Sequence, residues 1–266
     1  MTNTSIEHDL FIEWMNWLKD NHPEHGFMYD GIVCKQEWDK AEKRILFVLK
    51  DYNEKGVYTT LDKVDLNDKE CIKHNIFNLR YYLQKGIEAP KNWRVWDNVA
   101  RWSFGLNHIN ADQYLPFDKV DYQGDSKHRS SNLKTIAVLD LKKKPGKSSC
   151  NKSDLIKYFK EYPENEGFIA RQLSLYGILD FVICCGDGVF EIFKDITKKE
   201  TIRDIYEIAI RRTNYFVTKH GTVVIKYRHP LLLKKGIHKD KAYKTLMELV
   251  GKAICDRNKV LDSVKQ

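Results

Sequence analysis

The chain has 266 residues, 42% hydrophobic and 12% aromatic, enough to bury a full core as one large domain or as a domain with insertions. Its apolar runs are far shorter than the ~20 residues of a membrane span, and the polar start Met1 Thr2 Asn3 Thr4 lacks the basic and apolar regions of a signal peptide, so a cytoplasmic protein is expected. The 45 Lys and Arg against 37 Asp and Glu leave a net charge of +8 and a pI near 9.0, a balance that favours a polyanionic partner.

Thr4 to Glu7 has the spacing of a capping box, and Ile6, Leu10, Phe11, Trp14, Trp17 and Leu18 continue with helical spacing as far as His22 Pro23. Ile45–Leu49 reads as a buried strand and runs into Lys50 Asp51 Tyr52 Asn53. Residues 54–134 are long, charged and aromatic (Tyr81, Tyr82, Trp93, Trp96, Trp102, Phe104) and are predicted to form a helical insertion over the strand ends, with most of its tryptophans in the core. A second strand, Ile136–Leu139, ends at Asp140 and is punctuated by Pro145 Gly146. Helical spacing over Ser153–Tyr162 and Glu166–Tyr176 precedes a third strand at Leu179–Cys184. Helices at Asp187–Lys194 and Thr201–Arg212 come next, then a further strand at Asn214–Lys219 and a turn at Gly221. A fourth strand, Thr222–Lys226, runs into Tyr227 Arg228 His229 Pro230 Leu231 Leu232 Leu233, with a helix at Lys239–Arg257 beyond it. No repeat, low-complexity tract or long linker interrupts the chain, so a single α/β domain over 1–266 is expected, with a largely parallel sheet between helices.

In such a sheet the ligand sits beyond the carboxyl ends of the strands, so Asp51 from one end and His229 from another can face one bound polar group. Taken singly, Asp51 reads as a turn or helix-cap residue and His229 as a satisfied structural histidine. Lysines gather after strand ends, at Lys142, Lys143, Lys144 and Lys147 and again at Lys234, Lys235, Lys239, Lys241 and Lys244. A lysine run is ordinarily a solvated face, but two runs converging on the edge that carries the acid and the histidine suit a phosphate-binding rim. The six cysteines form no CxxC pair, and Cys184 Cys185 sit inside an apolar strand, so free thiols and no metal site are expected.

Four landmarks in this order, Ile45–Asn53, Ile136–Asp140 running into Lys143 Lys144 Pro145 Gly146, Phe181–Gly186, and His229 Pro230, resemble those of the uracil-DNA glycosylase superfamily. They are most similar to a bacterial branch with Lys, an acid and Asn after the first strand and a Trp-rich insert like residues 93–102. The resemblance covers roughly residues 44–245. It implies a three-layer α/β/α sandwich around a short, mostly parallel sheet, and an enzyme that flips a base out of DNA and hydrolyses its N-glycosidic bond, leaving an abasic site.

On that resemblance Asp51 and Asn53 would serve the sugar cation and the attacking water, while His229 would stabilise the departing base. Tyr52 or Phe77 would stack on the flipped base, although either also reads as core packing. Asp140 stands where many relatives place an asparagine. An ionised carboxylate only accepts hydrogen bonds, so it suits a base edge presenting an amino group, such as that of cytosine or adenine, and argues against plain uracil. Lys50, Lys143, Lys144, Arg228, Lys234 and Lys235 would contact DNA phosphates, and Leu231, Leu232 or Leu233, the last at the matching offset, would wedge into the gap left by the base. The resemblance implies double-stranded DNA as partner, no membrane, no obligate protein partner and no cofactor, since the cysteine spacing of cluster-bearing relatives is absent.

The branch includes anti-phage enzymes that excise hypermodified cytosines such as glucosylated hydroxymethylcytosine, and a glycosylase of that kind is the leading expectation. Repair of uracil or a damaged base is the alternative within the class. Outside it, Asp140 Leu141 Lys142 resembles half of a metal-dependent nuclease site, and a non-catalytic DNA-binding module is a further reading.

Overall fold

Ile45–Leu49 and Phe181–Cys185 are buried at every position, the pattern of strands covered on both faces. In the computed structural model, which describes residues 3–50, 59–84, 94–121, 125–144, 150–231 and 238–264, these two strands lie side by side at the centre of a seven-stranded sheet. Helix α1 (Asn3–Asn21), the two-residue strands β1 (Met28–Tyr29) and β2 (Gly31–Ile32), and helix α2 (Lys35–Lys40) precede the central strand β3 (Ile45–Leu49). Next come α3 (Lys69–Asn75), β4 (Phe77–Asn78), α4 (Leu79–Gln84), α5 (Arg94–Asn107), α6 (Phe117–Val120) and α7 (Ser126–Lys134), leading to β5 (Ile136–Asp140). Helices α8 (Lys152–Glu161) and α9 (Asn165–Ser174) lead to β6 (Phe181–Cys185), then α10 (Val189–Ile196) and α11 (Glu200–Arg203). Strands β7 (Ile208–Arg211), β8 (Tyr215–Thr218) and β9 (Val223–Tyr227) and the long helix α12 (Lys239–Val264) complete the order.

The sheet order is β2-β5-β3-β6-β9-β8-β7. Four central strands, β5, β3, β6 and β9, run parallel; β2 at one edge and β8 at the other run against them, and the outermost β7, antiparallel to β8, returns to their direction. The sheet is therefore mixed, where the sequence predicts a mostly parallel one. The antiparallel share comes from local returns of the chain: Gly221, at φ +84°, turns β8 back onto β9, and β2 is a short reversal laid on β5. A separate parallel pair, β1 with β4, joins Met28 to Phe77.

Because side chains alternate across a strand, β3 sends Leu46 and Val48 to one face and Ile45, Phe47 and Leu49 to the other. The first face packs with Trp14, Leu173 and Phe193 from α1, α9 and α10. The second packs with Trp96, Val99, Trp102, Tyr243 and Leu246 from α5 and α12. A tryptophan buries about 200 Å², so Trp96 and Trp102 each bring about 5 kcal/mol of apolar burial to the second face. Much of the expected insertion is thus a wall of the core, since α5 lies against the sheet face instead of only roofing the strand ends.

Two local expectations are corrected. The stretch read as a helix from Thr201 to Arg212 is helical only over α11; Ile208–Arg211 forms the edge strand β7, with a bulge between Ile208 and Ile210. Glu7 does not cap α1: the helix already includes Asn3, and the Glu7 carboxylate is buried and paired with Arg80 at 2.8 Å. All six cysteines are free thiols. Among the described residues no helix is long and apolar enough to cross a membrane.

Candidate functional site

The parallel strands β3, β6 and β9 end together, and the residues just past their ends meet over one glycine. Lys50 comes after β3, Gly186 after β6, and Arg228 and His229 after β9. Since β6 lies between β3 and β9, any side chain at the residue just past its end would separate the other two. A Cβ built on Gly186 would stand 3.2 Å from Lys50 Cε and 3.7 Å from His229 Cβ. Gly186 also adopts φ +110°, where a side chain is strained, and its N–H continues the ladder to the Tyr227 carbonyl at 2.8 Å. Glycine here leaves room for the Lys50 stem and the His229 side chain to approach over the same backbone position.

The hydrogen bonding of His229 defines its proton. The Leu231 backbone N–H, which can only donate, reaches Nδ1 at 3.2 Å, so Nδ1 is unprotonated and a neutral ring carries its hydrogen on Nε2. Burial, and secondarily the Lys50 charge, push the His229 pKa down to about 4, so the ring is neutral at physiological pH. The site thus offers one neutral N–H donor beside a fixed positive charge. Lys50 is held by its own hydrogen bond to the Cys150 carbonyl, 3.1 Å, which ties β3's end to the start of α8.

The loop bearing His229 is braced from the second sheet face. Asn98 on α5 donates its amide to the Pro230 carbonyl at 2.7 Å, and Arg101 one turn later donates to Asn98 Oδ1 at 3.0 Å. Arg101 also pairs with Asp121, whose other oxygen takes Lys239 at 2.5 Å. Trp102 packs edge-on against Tyr227, ring centres 5.3 Å apart, and the Tyr227 hydroxyl donates to the Ala242 carbonyl. Of these residues the sequence reading places only Lys239 at a site, in a lysine run suited to phosphate; it assigns neither Asn98 nor Arg101 to one. Asn98 and Arg101, three apart on a helix otherwise facing the core, are the signal that could have found them.

Asp140 ends β5 and is fully buried; its backbone N–H donates to Asp30 Oδ2 at 2.7 Å. Asp30 in turn forms a buried ion pair with Lys143, and Gln172 bridges it to Tyr176 and Glu7. Lys143, expected on DNA, is therefore corrected to a structural ion: its ammonium is out of solvent, bound by Asp30 and by Gln172 Oε1 at 3.2 Å. Lys144 is half-buried with its ammonium 5.9 Å from the Tyr162 ring. Arg228 is half-buried and lies over the Tyr227 ring at 5.5 Å, while Lys226 is paired with Glu191. Phe77, half-buried on β4, has a ring contact with Tyr82 at 5.9 Å. Asp51, Tyr52, Asn53, Leu232, Leu233, Lys234 and Lys235 lie outside the described residues. Among the described residues no three His, Cys, Asp or Glu side chains are placed to hold a metal ion.

Comparison with protein-family models, with curated proteins and with solved structures finds no match to this chain.

Proposed function

We propose that the protein is a DNA glycosylase that extrudes a modified base, a glucosylated hydroxymethylcytosine of phage DNA, and hydrolyses its bond to deoxyribose. The observation that carries the reading is the meeting of a neutral His229 and Lys50 over Gly186 at the carboxyl ends of parallel strands. When an N-glycosidic bond breaks, the base leaves with negative charge on its ring and carbonyl oxygen. A preorganised N–H pointing at that oxygen stabilises the transition state more than the ground state, because the charge is absent before the bond stretches. A neutral donor does this without protonating the base, and the Lys50 charge favours the same anion.

The sugar cation calls for an opposing carboxylate, the role given to Asp51, the residue directly after Lys50 in the chain. Helices on both faces of the four-strand parallel block are compatible with the three-layer sandwich of such enzymes. The net charge of +8 suits a DNA partner, and the expected compartment is the cytoplasm, where invading DNA is met.

The test is to incubate the protein, with EDTA present, with phage DNA carrying glucosylated hydroxymethylcytosine and with matched unmodified and uracil-containing DNA. Free base is read by mass spectrometry and abasic sites by alkaline cleavage. Release from the modified DNA alone is the expected result, with His229→Ala lowering kcat about 100- to 1000-fold. Release from uracil DNA would reassign the enzyme to repair. Intact DNA in every case would overturn the glycosylase reading.

A further inference from the structure

The peptide unit between Pro230 and Leu231 is hydrogen-bonded at both ends. Its carbonyl accepts from the Asn98 amide at 2.7 Å, and its N–H donates to His229 Nδ1 at 3.2 Å. A peptide is planar, so holding the carbonyl also aims the N–H. We propose that Asn98 is a positioning residue for His229: by holding the Pro230–Leu231 peptide plane, it sets the orientation of the imidazole and keeps its hydrogen on Nε2. The inference deepens the glycosylase reading and rests on it for its catalytic meaning.

Three features support it. Asn98 is buried, and its two amide ends are both used, one on Pro230 and one on Arg101, so its rotamer has a single arrangement. The anchor behind it is charged: Arg101 is fixed by Asp121, at 3.0 Å, which is also bound by Lys239 at the start of α12. One network therefore grips the chain at Pro230 and again at Lys239, at both ends of the segment that leads from His229 to α12. Hydrogen bonds in series also polarise one another: an amide on the Pro230 carbonyl strengthens the Leu231 N–H as a donor to Nδ1.

A purely structural Asn98 would affect stability and leave the imidazole alone. The discriminating variant is Asn98→Asp, which has nearly the same shape and keeps an acceptor for Arg101 but removes the donor to Pro230. The readout is long-range ¹H–¹⁵N spectroscopy of histidine-labelled full-length protein, with the His229 signals assigned by His229→Gln. In the parent protein His229 should show one Nε2–H tautomer with a titration midpoint far below that of a free imidazole. In Asn98→Asp, melting normally, the signals should average between tautomers, and this averaging is the deciding signal because the new carboxylate raises the midpoint by its charge alone. Asn98→Ser, with a shorter donor, should give an intermediate spectrum.

Base release from the modified DNA supplies the second arm: kcat should fall about a hundredfold in Asn98→Asp with KM little changed, as for a group misplaced by about 1 Å. An unchanged His229 spectrum in a folded Asn98→Asp protein overturns the inference whatever the activity. If the parent protein releases no base, the glycosylase reading fails while the spectrum still decides whether Asn98 sets the imidazole.

Discussion

His25 is fully buried, its Nε2 3.3 Å from the Tyr158 hydroxyl and its ring edge-on to Tyr162 at 4.8 Å. Burial first, and then the nearby Lys144 charge, push its pKa down to about 3. The folded state therefore binds this proton less readily than the unfolded chain, whose histidine titrates near the usual 6.5. Stability attached to His25 is complete above pH 6.5 and is lost as pH falls below it, continuing down to about 3. Between pH 7.5 and 5 the unfolded side gains about 1.5 pH units of proton binding that the folded side does not match, about 2 kcal/mol. His229, lowered to about 4, has the same sign over the same interval and contributes about the same. The perturbation is His25→Gln, which keeps an amide able to bond the Tyr158 hydroxyl but cannot take a proton. Urea unfolding of the parent and the variant at half-unit steps from pH 7.5 to 5 gives the result: the variant's loss over that interval should be smaller by about 2 kcal/mol. Parallel curves, displaced by a constant at every pH, would show that no buried neutral imidazole at position 25 opposes acid.

Lys143→Met leaves Asp30 as a buried unpaired charge, so it should cost about 3–5 kcal/mol in urea unfolding, with the salt slope of DNA binding unchanged. A reduced salt slope would return Lys143 to the DNA-contacting set. Gly186→Ala must place a methyl 3.2 Å from Lys50 Cε at φ +110°, and should cost about 1–3 kcal/mol of stability, read by thermal melting. Its kcat for base release should fall further than that stability loss explains, because Lys50 and His229 are pushed apart. Lys50→Gln should raise the His229 titration midpoint, since a neutral neighbour no longer opposes the imidazolium, and histidine ¹⁵N shifts against pH would record it. A midpoint that stays or falls would remove Lys50 from the electrostatics of His229.

The strands that build the site are legible in the sequence because parallel strands buried on both faces must be apolar throughout. Ile45–Leu49 reads with the boundaries observed, Ile136–Leu139 and Thr222–Lys226 within a residue, and Leu179–Cys184 within two. The edge strand Ile208–Arg211 is not legible: its residues are mostly exposed, and its isoleucines continue the helical spacing of Ile202 and Ile205, so the periodicity favours the wrong element. Lys143 misleads for a different reason. In the sequence it is one of three lysines after a strand end, and only the fold brings up Asp30, from 113 positions away, to bury its charge. Glu7 repeats the lesson, since Arg80, 73 positions on, outcompetes a local capping partner. Long-range ionic pairing leaves no periodic trace, whereas core burial does.

The same distinction bears on which base the site would accept. A donor from His229 would face a carbonyl oxygen that uracil and cytosine share, so it can drive departure without choosing between them. Choice requires a group on the other edge of the ring, the role proposed for Asp140, and Asp140 is fully buried with its backbone tied to Asp30. Asp30 is itself held by Lys143 and Gln172, and through Gln172 it is linked to Tyr176 and Glu7. The acid most suited to select the base thus sits on a charged network built from α1, α9 and the turn after β5. The group most suited to release it is braced from the opposite face of the sheet by α5. Asp140, in register with Leu49, turns its side chain to that same second face, so the Asp30 network holds it only by the backbone, and substitutions on the two faces should not separate base choice from rate.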